Sequence, residues 1–281
     1  MKPLAHPSKA LAVLLVSTVI GCASASPMME AGDRHLATHD YHKALASYDL
    51  ALQEKESGAS HAGRARALVA LGHADAAIAA YAQALVFEPQ RADWHVGIAV
   101  VRLGQRDLDA AIASCNQAIA LDPSCARAFY NRGFAHQLQG DRELAFQDYC
   151  NAIQADAAFA DAYNSRGILL AEQGDMAKAM QDFQAAVQRS PQLANAYANM
   201  ASVHYSAGDA ERAFMNLNAA IRAERDNPLY YKNRGLIYFD LGKHAMAHKD
   251  FEQALILSPE DPHLKDLHAR TQPAELASME R

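Results

Sequence analysis

The sequence repeats itself every 34 residues, and this period limits the chain to folds that stack one small unit many times. Glycine keeps that spacing at Gly140, Gly174, Gly208 and Gly242. Alanine keeps it over six positions, at Ala77, Ala111, Ala145, Ala179, Ala213 and Ala247. Proline marks a third position of the unit, at Pro89, Pro123, Pro191 and Pro259. Each unit of such an array contacts only its neighbours, so the hydrophobic core is predicted to run along the stack.

Each unit has the pattern of two helices joined by a tight turn. Alanine, the best helix former, is abundant, and the segments 128–133, 162–167 and 230–235 share a short pattern that ends in Arg-Gly. A glycine followed by aspartate predicts a helix end and then the N-cap of the next helix, as at Gly140-Asp141, Gly174-Asp175 and Gly208-Asp209. The prolines prevent the second helix from continuing. The sequence therefore predicts an all-α protein.

This pattern resembles the tetratricopeptide repeat (TPR), a 34-residue helix–turn–helix unit. The resemblance implies a right-handed superhelix, an α-solenoid, of about seven helix–turn–helix repeats over residues 27–261. A short capping helix is predicted next, because Asp261 can cap it, Pro262 suits its first turn and two leucines follow at helical spacing. Residues 262–281 thus form the capping helix and a tail.

A bulky residue recurs at one position of the second helix, where it is predicted to fill the space between repeats. The aromatic residues at this position are Tyr48, Tyr81, Tyr149, Phe183 and Phe251. Cys115 occupies it in the third repeat and is expected to pack as a small hydrophobic residue, while a Cys115–Cys150 disulfide between adjacent second helices remains conceivable. That repeat is irregular, since Gly97 and Gly104 fall two residues early. We expect a shortened first helix there, or an altered turn around residues 105–107.

The N-terminus has the features of a secretory signal. Lys2 and Lys9 precede an apolar run over residues 10–20, which is too short to span a bilayer about 30 Å thick. The run ends in Val19-Ile20-Gly21-Cys22, which resembles a bacterial lipobox. The resemblance implies removal of residues 1–21, lipidation of Cys22 and a tether over residues 22–26. An ordinary signal peptide cut near residues 23–25, or an uncleaved anchor, remains the alternative.

Residue 23 and the net charge bear on location and partners. Residue 23 is alanine rather than aspartate, which by resemblance to enteric lipoproteins implies anchoring to the outer membrane on its periplasmic side. The chain has 26 lysines and arginines against 32 aspartates and glutamates, a formal net charge of −6. This excludes the dense basic surface that a non-specific nucleic-acid binder needs. The lipid, rather than a basic patch, would therefore hold the protein to the membrane.

Motifs for catalysis and cofactors are missing from the sequence. It contains no phosphate-binding glycine-lysine loop, no dinucleotide-binding glycine motif and no nucleophile elbow, so neither an enzyme nor a cofactor is predicted. Two histidine groups have a spacing that could suit a metal ion, and both are better explained by solvated side chains. They are His35, His39 and His42, and the pair His244 and His248. No metal site is predicted.

The resemblance implies that the first helices line a concave groove, where ligands of this family bind. Asparagine occupies the sixth position of three repeats, at Asn131, Asn199 and Asn233, and Ser165 replaces it in another. Such a row could hold an extended peptide backbone, because an amide both donates and accepts hydrogen bonds. The alternative is that asparagine is simply a good helix-surface residue here. The other predicted groove residues are Arg127, Tyr130, Asn164, Asn195, Tyr205, Lys232 and Phe239.

Together these features favour a non-catalytic, lipid-anchored scaffold that binds peptide segments or other envelope proteins. In plan the chain resembles the NlpI-type outer-membrane TPR lipoproteins, which implies an adaptor for cell-wall hydrolases or proteases. The alternative is an assembly factor resembling the pilotin-type lipoproteins, which act on the secretin of a pilus or secretion system. The sequence leaves the partner, the pathway and a homodimer open. A C-terminal carboxylate clamp is not expected, because Val96 and Val100 stand at its first two positions.

Overall fold

A computed structural model describes residues 26–272, and these residues form 15 α-helices without a strand. The predicted signal peptide, Cys22 and the rest of the tether up to residue 25 lie outside the described residues, as does the tail from residue 273. Within residues 26–272, no helix combines the length and the apolar character needed to cross a bilayer. The described chain divides into two compact units, which meet in sequence at residues 157 and 158.

The N-terminal unit consists of four antiparallel helix pairs. Its helices are α1 (Pro27–Ala37), α2 (Tyr41–Glu54), α3 (Gly58–Ala70), α4 (Ala74–Phe87), α5 (Ala92–Gly104), α6 (Leu108–Leu121), α7 (Ala126–Gln139) and α8 (Arg142–Ala155). The C-terminal unit consists of three further pairs and the capping helix. Its helices are α9 (Ala160–Glu172), α10 (Met176–Arg189), α11 (Ala194–Ser206), α12 (Ala210–Ala223), α13 (Pro228–Asp240), α14 (His244–Leu257) and α15 (Pro262–Arg270). The predicted all-α fold of helix–turn–helix repeats with a short capping helix is confirmed.

The turn inside each repeat needs one residue in the left-handed region of backbone conformation. Glycine supplies it in five repeats, for example Gly140 with φ of 91° and Gly174 with φ of 88°. Asp175 then caps the next helix by accepting a hydrogen bond from the Lys178 amide, as the Gly-Asp pattern predicts. Asp141 does not follow this prediction, because its side chain makes no capping hydrogen bond.

The third repeat is irregular in its turn and not in its helix. Helix α5 has 13 residues, as many as α3, α9, α11 and α13, so the expected shortening is wrong. The altered turn is correct, since Arg106 adopts φ of 62° where five other repeats have glycine. Gly97 is not a displaced glycine either. It faces the Tyr81 ring of the preceding repeat, and a Cβ there would lie 2.4 Å from Tyr81 Cζ.

The recurring bulky residue of the second helix forms the core of each unit. Its five aromatic side chains are at most 2% exposed. Rings lie so close to glycines of the first helices that a Cβ at Gly167 would be 2.7 Å from Phe183, and one at Gly235 would be 2.7 Å from Phe251. Cys115 is fully buried at the same position, and burial raises the pKa of its thiol to about 12. Cys115, Cys125 and Cys150 are all thiols.

Arginine–aspartate pairs tie the two helices of a repeat together at its partly buried edge. In each pair Nε and Nη2 donate to the two carboxylate oxygens at 2.7–2.8 Å, a bidentate geometry. The pairs are Arg132–Asp148, Arg166–Asp182 and Arg234–Asp250. Arg132 also donates to Asn116 of the preceding repeat, so one guanidinium group joins three helices. The sequence analysis missed these pairs, although their constant separation of 16 residues was a usable signal.

The capping helix α15 covers the last repeat with two leucines. Leu264 is 1% exposed and Leu267 is 4% exposed, and Leu267 belongs to a cluster with Phe251. Next to them, the imidazole rings of His248 and His268 stack at 4.2 Å between centroids. The Nε2 atom of His268 is buried without a hydrogen-bond partner among the described residues. Burial of this atom favours the neutral form of His268.

We expect Gly97→Ala to lower the free energy of unfolding by about 1–3 kcal/mol, because the added Cβ must displace the Tyr81 ring. Gly104→Ala is the matched control on the same helix, since a Cβ there meets no heavy atom within 4 Å. The control should be neutral or stabilising by up to about 1 kcal/mol. Urea denaturation of both variants at pH 7 checks this. Equal destabilisation by the two substitutions would contradict the packing described here.

We also expect the docking of α15 to weaken as the pH falls. Burial, assisted by the charge of His248, lowers the pKa of His268, and the charge of Glu252 only partly opposes this. The unfolded side chain, with a pKa near 6.5, therefore binds a proton more readily than the docked one, so stability is lost as the pH falls below about 6.5.

Hydrogen exchange of the α15 amides at pH 7.5 and 5.5 measures this effect. Exchange should be faster at pH 5.5 after correction for the intrinsic rate, and His268→Gln should reduce the pH difference. His263→Gln, which changes an exposed histidine of the same helix, is the control and should leave the difference unchanged. An equal response of the two variants would show that His268 is not the group responsible.

Candidate functional site

The predicted groove residues fall on the first helices of both units, and each unit is described by itself. In the N-terminal unit they lie at the start of α7. Arg127 is exposed and Tyr130 is half-buried, with its ring 5.7 Å from the Tyr149 ring. Asn131 is only 8% exposed. Residues three and four apart share one helix face, so the three side chains lie together.

Ring hydroxyls from the second helices of the N-terminal unit hydrogen-bond to polar side chains of its first helices. The Tyr48 hydroxyl donates to Asp33 Oδ1 at 2.6 Å, and the Arg66 guanidinium donates to the same oxygen at 3.1 Å. The Tyr149 hydroxyl donates to Gln137 Oε1 at 2.6 Å. Asp33 and Arg66 retain 38% and 32% side-chain exposure, so these hydroxyls end next to solvent-accessible groups. We call this set of first-helix residues the N-terminal inner face: Asp33, Arg66, Arg127, Tyr130 and Gln137.

Burial and nearby charges change the pKa values of the tyrosine hydroxyls in this unit. Burial, together with the hydrogen bond to Asp33, raises the pKa of Tyr48. Burial raises the pKa of Tyr81 to about 12, although the charges of Arg66 and Arg127 oppose the rise. Both hydroxyls therefore stay protonated at neutral pH and act as hydrogen-bond donors. The sequence analysis treated these tyrosines only as core residues. The choice of tyrosine over phenylalanine was the signal that could have revealed a polar role.

In the C-terminal unit, three predicted groove residues lie in the interior. Asn164, Ser165 and Asn199 are 5%, 3% and 0% exposed. Asn199 Nδ2 donates to Asn164 Oδ1 at 2.9 Å, which joins α11 to α9. Asn199 Oδ1 is buried without a hydrogen-bond partner among the described residues. This pair therefore belongs to the packing between repeats.

The remaining predicted residues of this unit are half-buried, and we call them the C-terminal inner face: Asn195, Tyr205, Lys232, Asn233 and Phe239. Asn195 Oδ1 accepts a hydrogen bond from the Tyr230 hydroxyl at 2.7 Å. The Tyr205 hydroxyl donates to Asp240, and burial with this bond raises its pKa to about 12. The Arg270 guanidinium lies 5.3 Å from the Phe239 ring centroid. Aromatic and polar groups are thus held side by side.

The predicted row of amides is interrupted by burial. Of the four residues at the sixth position of the repeat, Asn131, Ser165 and Asn199 are buried and only Asn233 is half-buried. A ladder that contacts successive peptide groups would need all of them at the surface. The alternative, that these are ordinary residues of the helix surface, does not fit Asn131, Ser165 and Asn199 either, because they are buried. Peptide binding stays a prediction, now centred on the accessible side chains of the two inner faces.

The histidines weighed above as metal ligands make other contacts in the described part of the chain. Within residues 26–272, no three or more His, Cys, Asp or Glu side chains lie close enough to share an ion. His39 Nδ1 lies 2.8 Å from the Tyr41 hydroxyl, and His248 Nδ1 lies 3.1 Å from Thr271 Oγ1. His39 and His248 therefore each contact a hydroxyl group of the protein itself.

Comparison with known proteins identifies the repeat. Tetratricopeptide-repeat models match residues 62–124, 97–160, 139–194 and 228–261. No curated protein matches the sequence.

Several solved structures are similar in fold. The Cut9–Hcn1 hetero-tetramer of the APC/C gives a TM-score of 0.71 at 16% identity, covering 87% of this chain and 45% of that chain, so this chain spans under half of that protein. PilF of Pseudomonas aeruginosa gives 0.65 at 18% identity, covering 76% of this chain and 97% of that chain. YrrB, described as a TPR protein with an unusual peptide-binding site, gives 0.50 at 20% identity, covering 68% and 98%. At these identities the likeness shows the fold alone. Because the repeat models together match more than half of the sequence, the chain belongs to the tetratricopeptide-repeat family.

Proposed function

We propose that this TPR protein is a non-catalytic scaffold that binds peptide segments of other envelope proteins on its inner faces. The repeat fold is generally a scaffold for protein–protein interaction, and the matched families are not enzyme families. The observation that carries the proposal is the accessible mixture of aromatic and hydrogen-bonding groups on the first helices, such as Arg127, Tyr130 and Lys232. Tyrosine and arginine are among the residues enriched at protein interfaces.

The side chains of the inner faces are carried by helices that are held in place by packing and ion pairs. Each face is built on helices whose pairing is fixed by buried rings and by bidentate arginine–aspartate pairs. Side chains that are already ordered lose little entropy when a ligand binds. Tyr205 is restrained by its hydrogen bond to Asp240, and Phe239 by its contact with Arg270. A peptide laid along such a face would meet preformed contacts.

The proposal includes the membrane anchor expected from the lipobox. A tether of residues 22–26 would reach at most about 17 Å from the acylated Cys22. Helix α1 begins at Pro27, so the first repeat would stay close to the outer membrane on its periplasmic side. Several acyl chains hold a protein stably where one chain does not. Within this setting the adaptor role for cell-wall hydrolases or proteases is the preferred function.

We expect the wild-type protein to incorporate labelled palmitate and to fractionate with the outer membrane, because Cys22 would carry the lipid. The Cys22→Ser variant should lose the label and become soluble in the periplasm. Metabolic labelling followed by membrane fractionation measures both. Cys125→Ser is the matched control and should keep label and location. A wild-type protein without label would instead support an ordinary signal peptide.

We expect substitution of the inner faces to release partners that crosslink in intact cells. One variant combines Arg127→Ala with Tyr130→Ala, and another combines Lys232→Ala with Asn233→Ala. At least one should reduce recovery of the partner about tenfold or more, since interface tyrosines and arginines carry much of the binding energy. Quantitative mass spectrometry after affinity capture measures recovery.

The control variant changes exposed second-helix residues, Met215→Ala with Met246→Ala, which are 64% and 52% exposed. Loss of partners in this control but not in the inner-face variants would refute the proposal. Recovery of hydrolases or proteases supports the adaptor role. Recovery of a secretin would favour the pilotin-like alternative. Circular dichroism of each variant confirms that the helices persist.

A further inference from the structure

Two neighbouring apolar side chains are exposed at the end of the second helix of the second repeat. Val86 is 71% exposed and Phe87 is 43% exposed, both in the last turn of α4. The Phe87 ring stacks on the imidazole of His61 at 5.6 Å between centroids, so its position is restrained. Single exposed apolar residues are ordinary on protein surfaces, and the meaning of this pair therefore depends on where it lies.

The pair lies at the edge of the N-terminal unit from which the tether leaves. Ser26, the first described residue, caps the start of α1 and donates a hydrogen bond to Glu54 at the end of α2. A loop of three residues then leads from α2 to α3. A Cβ at Gly58, the first residue of α3, would lie 3.0 Å from Glu88 Oε1, and Glu88 directly follows Phe87. One short loop and two direct contacts thus connect the start of α1 to the apolar pair.

The repeat itself does not require apolar residues at these two positions. Val86 and Phe87 correspond to Gln154 and Ala155 in the fourth repeat. The fifth repeat has glutamine and arginine there, and the sixth has arginine and alanine. The apolar pair is therefore a property of the second repeat, next to the start of the described chain.

The charges at this edge are mostly negative. The segments 54–57 and 87–93 contain four acidic and two basic residues: Glu54, Lys55, Glu56, Glu88, Arg91 and Asp93. Arg91 already donates hydrogen bonds to Glu88 and to Asp93. Attraction to anionic lipids needs a cluster of basic residues, which this edge does not have. Apolar contact with a lipid surface that has no net charge is the membrane interaction that such an edge can make.

We propose that Val86 and Phe87 dock this edge of the N-terminal unit on the surface of the lipid bilayer that holds the acylated Cys22. The inference rests on the proposed function, because it needs the membrane anchor included there. The tether spans at most about 17 Å, so it keeps the edge within reach of the bilayer. Two apolar side chains alone bind a membrane weakly, but a tether raises their effective concentration at its surface. Docking would orient the first helices of this unit with their starts towards the bilayer.

The test measures contact between residue 87 and the lipid acyl chains by fluorescence. Phe87→Trp places an indole at the proposed contact. Leu144→Trp is the matched control in the same unit, because Leu144 is 47% exposed near the start of α8, at the opposite end of its helix pair. Both acylated variants are reconstituted into phosphatidylcholine vesicles with and without bromine on the acyl chains. Trp94, the only natural tryptophan, is common to both variants, and the wild-type signal is subtracted.

Bromine quenches the indoles that it contacts, and docked apolar side chains lie about 5–10 Å inside the headgroup boundary. We therefore expect the indole of the Phe87→Trp variant to lose about half of its fluorescence, and that of the Leu144→Trp variant to lose almost none. Adding Val86→Gln to Phe87→Trp should reduce the quenching at least about twofold, because it removes half of the apolar pair. This change introduces the residue that the fourth repeat has at the same position, and circular dichroism checks that the helices persist.

Three results would overturn the inference and leave peptide binding on the inner faces standing. The first is equal quenching of the two tryptophan variants, or none at residue 87 in an acylated chain. The second is a blue shift of the residue 87 indole without quenching by bromine, which would show that a second copy or another protein covers the pair. The third is quenching that requires phosphatidylglycerol, which would indicate a basic docking surface elsewhere. A chain that acquires no acyl group in cells would overturn the membrane anchor and this inference together.

Discussion

The fold depends on a close contact between a buried ring on five of the second helices, α2, α4, α8, α10 and α14, and a glycine of a first helix, whose backbone carries no side chain. At Gly167 and Gly235 the ring occupies the space where a Cβ would lie, and at Gly97 it does so across a repeat boundary. This contact sets how near two helices approach, and therefore the spacing of every residue carried on them. The inner faces take their geometry from it.

Polar contacts then fix the rotation of the paired helices. Packing of rings against glycine is tolerant of small rotations, whereas a bidentate pair such as Arg132–Asp148 is not. The additional bond from Arg132 to Asn116 carries the restraint into the preceding repeat. Arg127 and Tyr130 lie on α7 together with Arg132, so their positions are fixed by the same restraint.

The sequence predicted the fold well because spacing determines which residues can share a position in a repeated unit. The helix pairs, the left-handed turn residues and the capping helix all follow from periodicity and from local capping chemistry. Spacing does not determine exposure. Asn199 and Asn233 are the same residue type at the same repeat position, yet Asn199 is fully buried against Asn164 and Asn233 is half-buried. The sequence therefore predicted which helices carry the candidate site, but it did not predict which of the side chains there are accessible.

The arginine–aspartate pair does not occur in every repeat. This affects where in each unit the paired helices would separate first. The pair is present in the fourth, fifth and seventh repeats. Its two positions hold Arg64 and Ala80 in the second repeat, Ile98 and Ser114 in the third, and Met200 and Asn216 in the sixth. Repeat arrays divide their stability into local and nearest-neighbour contributions, so a repeat without the pair forms a weaker segment of its unit. Transient separation of paired helices would therefore begin within the repeats that lack the pair, and a proteolytic cut under native conditions would fall there before it fell in the fourth, fifth or seventh repeat.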